Sequence, residues 1–112
     1  MIKDNKVLLI GGNGTLGSTI INSKIFKKID SPKKKKLNLI NKKNIRKFLK
    51  KKYSIVINCA AIARMRECEK NPSKAIKINF FGTLNLAEEI KKYQINYKRK
   101  IKLIHISTDG VY

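Results

Sequence analysis

The sequence has few of the residues on which several common protein classes depend. Its 112 residues include two cysteines, one histidine, two prolines and no tryptophan. Cys59 and Cys68 lie in unrelated segments, and neither has a second cysteine or a histidine at metal-ligand spacing. We therefore expect free thiols, a reducing compartment and no metal site. The scarcity of proline and glycine beside ordinary apolar content predicts a globular chain.

Long apolar runs are also lacking. No stretch approaches the roughly 20 residues that a membrane helix needs, and the polar N-terminus does not resemble a targeting segment. The sequence therefore predicts no membrane partner and a cytoplasmic location.

Acidic residues are scarce as well, with 7 Asp and Glu against 27 Lys and Arg, for a formal net charge of +20. Nucleic-acid binding is one interpretation of this excess. The lysines are, however, spread over many segments and are not interleaved with aromatic residues as on a base-stacking surface. We therefore expect the charge to steer anionic nucleotides toward the protein, and we do not expect nucleic-acid binding to be its main function.

Short apolar blocks alternate with segments of helical periodicity. The blocks predict strands at residues 6–10, 26–30, 37–40, 54–58 and 101–107. Helices are predicted from Thr15 to about Ile25, after a capping Asn41, and from Ser73 to about Tyr93. Such alternation implies parallel strands with right-handed crossovers. The predicted fold is an α/β, Rossmann-like doubly wound parallel sheet, truncated after its fifth strand.

A glycine-rich loop joins the first strand to the first helix. Its residues fit both Gly12-x-Gly14-x-x-Gly17 and Gly11-x-x-Gly14-x-x-Gly17. The first glycine permits a tight turn, Gly14 lets the backbone approach a pyrophosphate, and Gly17 lets the helix pack closely. The pyrophosphate would then lie at the positive end of the helix. The loop therefore predicts dinucleotide binding.

Asp30 ends the second predicted strand, where an acid can bind the adenosine ribose. An ordinary loop acid before Ser31-Pro32 is an equally good interpretation. Residues 33–36 are four lysines that could meet a 2′-phosphate. NADP and NAD therefore both remain candidate cofactors.

Three later blocks resemble the extended short-chain dehydrogenases/reductases. They are residues 56–61 (VINCAA), 71–87 with Asn79 and Gly82-Thr83-Leu84-Asn85-Leu86-Ala87, and 104–112 (IHISTDGVY). The last block is most typical of dTDP-4-dehydrorhamnose reductases and their sugar-nucleotide-binding relatives. The resemblance covers the whole chain, and the blocks occur in the family's order and spacing.

The resemblance implies a role for each matching position. The pyrophosphate loop would be formed by Gly11, Gly14, Thr15, Leu16 and Gly17. Asn38 stands where the family usually carries an adenine-contacting Asp, a departure that an amide can accommodate. Ala60 and Ala61 would line the nicotinamide ribose, and Asn79 would lie near the active site. Thr108 matches the catalytic Ser/Thr. Taken one at a time, Asn58 and Asn79 could also have a purely structural role, as hydrogen-bond partners of backbone groups between strand and helix.

The family's Tyr-x-x-x-Lys pair does not occur within these residues. We therefore expect residues 1–112 to be an incomplete NAD(P)-binding domain without the substrate lobe, from a parent enzyme that reduces a 4-keto sugar nucleotide. A homodimer is a candidate assembly for the full-length protein. Alternatives are a sugar-nucleotide epimerase or dehydratase, or an NADP-binding regulatory subunit like that of methionine adenosyltransferase.

Overall fold

Four parallel strands form the sheet in the computed structural model, which describes residues 5–12, 14–60 and 72–106. Their spatial order is β2-β1-β3-β4. The elements in chain order are β1 (Lys6–Ile10), α1 (Thr15–Asn22), β2 (Lys28–Asp30), α2 (Lys42–Leu49), β3 (Ile55–Asn58), α3 (Pro72–Tyr97) and β4 (Lys102–His105). No helix in the described part of the chain is long and apolar enough to cross a membrane.

The two central strands are covered on both faces, so residues 7–10 of β1 and 55–57 of β3 are all apolar. Val7 and Leu9 of β1 pack toward α1, in a cluster with Ile57 and Cys59. The alternate residues of β1 and β3 pack toward α2 and α3 in the larger cluster. Helices thus cover both faces, which confirms the predicted Rossmann-like α/β class.

The order in which strands are added to the sheet changes sides at β1. The chain passes from β1 to β2 on one side and then returns to β3 on the other, where Ile10 lies opposite Asn58. In open parallel sheets, ligands bind beyond the carboxyl ends of the strands at such a switch point. The glycine loop after β1 and the segment after β3 meet there.

The predicted strand at residues 37–40 is wrong, because these residues form turns. The side-chain oxygen of Asn38 accepts a hydrogen bond from the Ile40 amide at 3.1 Å, and the Asn41 amide donates to the Asn38 carbonyl at 3.0 Å. Leu37 and Leu39 are nevertheless buried in the larger cluster. The apolar alternation correctly indicated burial, but the Asn38 side chain holds a backbone amide that a strand would use in its ladder.

Several predicted boundaries also shift. α1 ends at Asn22, so Ile25 lies outside the helix and is 54% exposed. β2 begins at Lys28, two residues later than expected. Residues 94–97 continue α3, where the Tyr97 ring packs on that of Tyr93 with centroids 4.8 Å apart. The polar composition of 94–100 suggested a connection, but this i,i+4 pair supports one further helical turn.

α2 forms as its sequence predicts. The Asn44 amide donates to the Asn41 side chain at 3.2 Å, and Ile45, Phe48 and Leu49 are buried. Two ion pairs then join α2 to α3. Lys42 reaches Glu88 at 2.9 Å, with both side chains about half exposed, whereas Arg46 reaches Glu89, whose side chain is 1% exposed, at 2.8 Å.

A lysine in the left-handed backbone region follows each of α1, α2 and α3. The φ angles are 57° at Lys24, 65° at Lys52 and 52° at Lys98. This region is unfavourable for residues with a Cβ and is usually left to glycine or asparagine. All three turns lead into the amino ends of strands, so the three lysines lie at one edge of the sheet, opposite the glycine loop.

Candidate nucleotide-binding site

Gly11 makes the tight turn at the carboxyl end of β1. Its φ is +83°, and a Cβ there would lie 2.7 Å from both the Ala60 nitrogen and the Cys59 carbonyl carbon. Gly11, unlike Gly12, has a positive φ. The glycine that the turn requires is therefore the first one of Gly11-x-x-Gly14-x-x-Gly17, the spacing of short-chain reductases.

The first turn of α1 follows directly on the glycine loop. Its N-cap, Gly14, is extended (φ −79°, ψ 169°) and makes no side-chain cap, and the first turn contains no acidic residue. The Gly14 amide donates to the Gly11 carbonyl at 3.2 Å, and the Ser18 hydroxyl donates to the Gly12 carbonyl at 3.1 Å. The positive end of the helix is therefore not neutralised by a carboxylate of its own turn.

Gly17 holds this helix against the loop. A Cβ at Gly17 would collide with the Gly11 carbonyl oxygen and would lie 2.8 Å from the Gly12 Cα. Thr15 is exposed at the start of the helix, while Leu16 packs partly against the core on the α1 side. Gly17 thus packs directly on the backbone of Gly11 and Gly12.

Asn58 links the carboxyl ends of β3 and β4. It is 1% exposed, and its Oδ1 accepts a hydrogen bond from the Ala60 amide at 3.0 Å. Its Nδ2 lies 3.3 Å from Nδ1 of His105, and its carbonyl accepts from the Ile106 amide at 3.0 Å. Asn58 therefore fixes the backbone that contacts Gly11. Sequence reasoning assigned no role to His105, the last residue of β4, although its place within a predicted strand of the same sheet was a usable signal.

Cys59 lies between Asn58 and Ala60 in the chain, and its side chain is buried. Burial raises the pKa of its thiol. A buried thiol with a raised pKa carries little thiolate at neutral pH and is a poor nucleophile. Cys59 is therefore a packing residue, while Cys68 lies outside the described residues.

Asp30 ends β2 and has a structural partner within the protein. The Tyr53 hydroxyl donates to its carboxylate at 2.5 Å. Tyr53 is fully buried, and burial, followed by the hydrogen bond to Asp30, raises its pKa far above the ordinary tyrosine value. One oxygen of Asp30 is thus used to satisfy a buried hydroxyl, a role that neither sequence interpretation anticipated.

Replacing Tyr53 by phenylalanine should lower the free energy of unfolding by about 1–2 kcal/mol, because the hydrogen bond to a charged acceptor is lost while the ring stays packed. Urea unfolding at neutral pH measures this change. Tyr97→Phe is the matched control, since Tyr97 is 57% exposed, and its effect should be below about 0.5 kcal/mol. Equal effects of the two substitutions would show that the Tyr53–Asp30 bond is not a stabilising contact.

The other predicted site residues fall into two groups. Asn38 is exposed in its turn, where its Oδ1 accepts the hydrogen bond from the Ile40 amide. Asn79 is half-buried within α3. Ala60 is half-buried against Gly11, whereas Ala61 and Thr108 lie outside the described residues. The structure therefore brings together the glycine loop, Ala60 and Asn58.

Comparison with known proteins gives the family. The family described as the RmlD substrate binding domain matches residues 5–112. The chain belongs to this family. A relative, the spore coat polysaccharide biosynthesis protein SpsK of Bacillus subtilis, is 31% identical over 96% of the chain and 37% of its own length.

Two solved dTDP-4-dehydrorhamnose reductases share the RmlD-family fold with this chain. The protein from Clostridium acetobutylicum is 33% identical with a TM-score of 0.72, and the chain covers 37% of it. The protein from Bacillus anthracis, solved in complex with NADP, is 29% identical with a TM-score of 0.71, and the chain covers 38% of it. Each comparison includes 96% of this chain. The chain thus spans less than two fifths of these relatives.

Proposed function

We propose that the chain is the NAD(P)-binding N-terminal part of a reductase that acts on a 4-keto sugar nucleotide, of the dTDP-4-dehydrorhamnose reductase kind. The observation that carries this proposal is the Gly11 turn, closed against Cys59 and Ala60 at the switch point between β1 and β3. Family membership and the NADP complex of a relative support it. Residues 1–112 then form one incomplete domain, and further residues complete the substrate site.

The pyrophosphate of the cofactor would lie against the loop from Gly11 to Gly17. Three features of the loop fit this group: the glycine N-cap without a side-chain bond, the absence of an acid in the first turn of α1, and the contacts at Gly17 that exclude a side chain. The amides of Thr15 and Leu16 would then face the phosphates. Asp30 would bind the adenosine ribose with the carboxylate oxygen that Tyr53 does not use, and Asn38 would contact the adenine.

The nicotinamide end would lie beyond β3. Ala60 and Ala61 would leave room for the nicotinamide ribose, and Asn79 would approach the active site from α3. When bound, the reduced cofactor supplies a hydride. The Thr108 hydroxyl would donate a hydrogen bond to the substrate carbonyl oxygen, which stabilises the negative charge that develops there.

The test is a fluorescence titration of the protein with NADPH. We expect saturable binding that Gly17→Ala abolishes, because the added Cβ pushes the helix start away from the loop. Gly82→Ala is the control, because its Cβ would lie 3.0 Å from the Leu39 side chain, far along the chain from the loop. Absence of NADPH binding by the folded wild-type protein would overturn the proposal.

The lysines after Asp30 should set the preference between the two cofactors. Residues 33–36 are exposed and follow the carboxyl end of β2. The triple substitution Lys33→Gln/Lys34→Gln/Lys35→Gln should weaken NADPH binding by about tenfold, because charge-assisted bonds to the 2′-phosphate are lost. NADH lacks this phosphate and is the internal control. An equal loss for both dinucleotides would contradict the assignment.

A further inference from the structure

The fold collects basic side chains at the amino edge of the sheet, the edge opposite the glycine loop. They come from the start of β1 and from the turns that lead into β2, β3 and β4. We call this set the basic edge; its members are Lys6, Lys24, Lys27, Lys28, Lys50, Lys51, Lys52, Lys98, Arg99, Lys100 and Lys102. Nine of these eleven residues are exposed, and Lys6 and Arg99 are half-buried.

The contacts between these segments show that the basic edge is continuous. The Ser54 amide donates to the Lys6 carbonyl and the Lys102 amide to the Ser54 carbonyl, each at 2.9 Å. The Lys6 ammonium donates to the Lys51 carbonyl, also at 2.9 Å. Four strands at the usual spacing make an edge about 14 Å wide. Lysines that are far apart in the sequence are thus neighbours in the fold.

The acids of the described residues do not neutralise this edge. Asp30 accepts the Tyr53 hydroxyl, Glu88 pairs with Lys42, and Glu89 pairs with Arg46. None of the three belongs to the turns of the basic edge. Its positive potential is therefore available to an anionic partner.

A cavity with an aromatic wall adjoins the basic edge, between the last turns of α2 and α3. Its volume is about 300 Å³, which is the lower limit of ordinary ligand pockets. The paired rings of Tyr93 and Tyr97 line it together with Arg46, Lys50, Lys92 and Asn96. Glu89 also lines it, with its charge balanced by Arg46 at 2.8 Å and Lys92 at 3.5 Å.

We propose that the basic edge and this cavity form a binding surface for single-stranded nucleic acid, separate from the dinucleotide site. The lysines contact successive phosphates, and a base enters the cavity and stacks on Tyr97, which is 57% exposed. Basic grooves combined with aromatic stacking are how proteins bind single strands without sequence preference. The surface lies at the opposite edge of the sheet from Gly11, so both ligands can bind at once.

A charge-matched pair of variants tests the phosphate contacts. Lys27→Gln/Lys50→Gln/Lys100→Gln removes three exposed charges from the basic edge, and Lys33→Gln/Lys34→Gln/Lys35→Gln removes three at the other edge. Binding of a fluorescein-labelled oligouridylate of about 12 nucleotides is followed by anisotropy over a range of salt concentrations. The basic-edge variant should bind at least about tenfold more weakly, and its slope of log K against log salt should be shallower by about 2 units, while the control retains both.

The stacking contact has its own test. Tyr97→Ala should weaken oligouridylate binding by about fivefold or more, and Tyr97→Phe should restore it, since stacking needs the ring but not the hydroxyl. Equal losses of oligouridylate affinity in the two triple variants would overturn the proposal, and so would an unchanged affinity of Tyr97→Ala. Tighter binding to vesicles of phosphatidylserine and phosphatidylcholine than to the oligouridylate would also overturn it. NADPH titrations of the wild type and the basic-edge variant are independent of these outcomes, so failure here leaves the proposed reductase function intact.

Discussion

Replacing Gly11 by alanine is expected to lower the free energy of unfolding by about 3 kcal/mol. Two effects add. A residue with a Cβ is strained at a φ of +83°, and the new methyl group would lie 2.7 Å from backbone atoms of Cys59 and Ala60. Neither obstacle is a side chain that can rotate away, so the loop or the end of β3 must move. A loss of this size is a large part of a typical domain's stability.

Gly12→Ala is the matched control for this substitution. The added methyl group there would meet the Ser31 hydroxyl and would lie 3.1 Å from the Ile21 Cδ1 atom, both of which are ends of side chains. Because Ser31 is exposed and can change rotamer, we expect a cost of about 1 kcal/mol or less. Urea unfolding of both variants measures the difference. Similar midpoints would mean that the Gly11 turn does not have the close contacts described.

Replacing Arg46 by methionine should lower the free energy of unfolding at neutral pH, and by more than replacing Lys42 does. Glu89 is 1% exposed and keeps only Lys92, at 3.5 Å, as a charged partner when Arg46 is lost. Removing one member of a buried pair leaves an uncompensated charge, although the 54% exposure of the Arg46 side chain reduces the penalty. Methionine retains much of the aliphatic packing, so the measured loss reports mainly on the charge.

Lys42→Met provides the comparison for this ion pair. Lys42 and Glu88 also join α2 to α3, but their side chains are 45% and 43% exposed. Exposed pairs contribute little, and we expect a change of no more than about 0.5 kcal/mol. If both methionine variants had the same stability, burial of Glu89 would not be what makes its ion pair important.

The pH dependence of the Arg46 effect has a defined sign. The hydrogen bond from Arg46 is the main cause that holds the pKa of Glu89 below the ordinary glutamate value, while burial acts in the opposite direction. A lowered folded-state pKa contributes stability above the unfolded pKa of about 4.3, and this contribution is lost as the pH falls through the folded-state pKa. The stability difference between wild type and Arg46→Met should therefore be constant above about pH 6 and shrink in acid. A difference that grew in acid would contradict the assignment.

The fold was largely predictable because its main signals are local. Lys6–Ile10 and Ile55–Asn58 are short apolar runs, and buried parallel strands have this composition. Asn41 was recognised as a helix cap from the residues that follow it. Residues 37–40 show the limit of such signals. Leu37 and Leu39 alternate as strand residues do, and the hydrogen bonds that Asn38 accepts from the Ile40 and Asn41 amides distinguish the turn from a strand.

The glycine loop was predictable for the same reason, since Gly11 is required by its positive φ and Gly17 by its close backbone contacts, both within one short segment. The contacts of Asp30 and Glu89 were not. Tyr53 lies 23 residues from Asp30, and Arg46 lies 43 residues from Glu89. No local pattern marks a carboxylate whose partner comes from another element. The same applies to the basic edge, whose lysines come together only when the strands pair.

The left-handed lysines at positions 24, 52 and 98 show a conflict between backbone conformation and electrostatics. Selection for stability alone would favour glycine at each position, because glycine adopts a positive φ without strain. Lysine instead keeps a cation beside the negative end of a helix. Substitution by glycine at all three turns would remove the backbone strain, and it would also remove three positive charges from one edge of the protein. Retention of lysine there in related sequences would therefore be a sign that the charge itself is under selection.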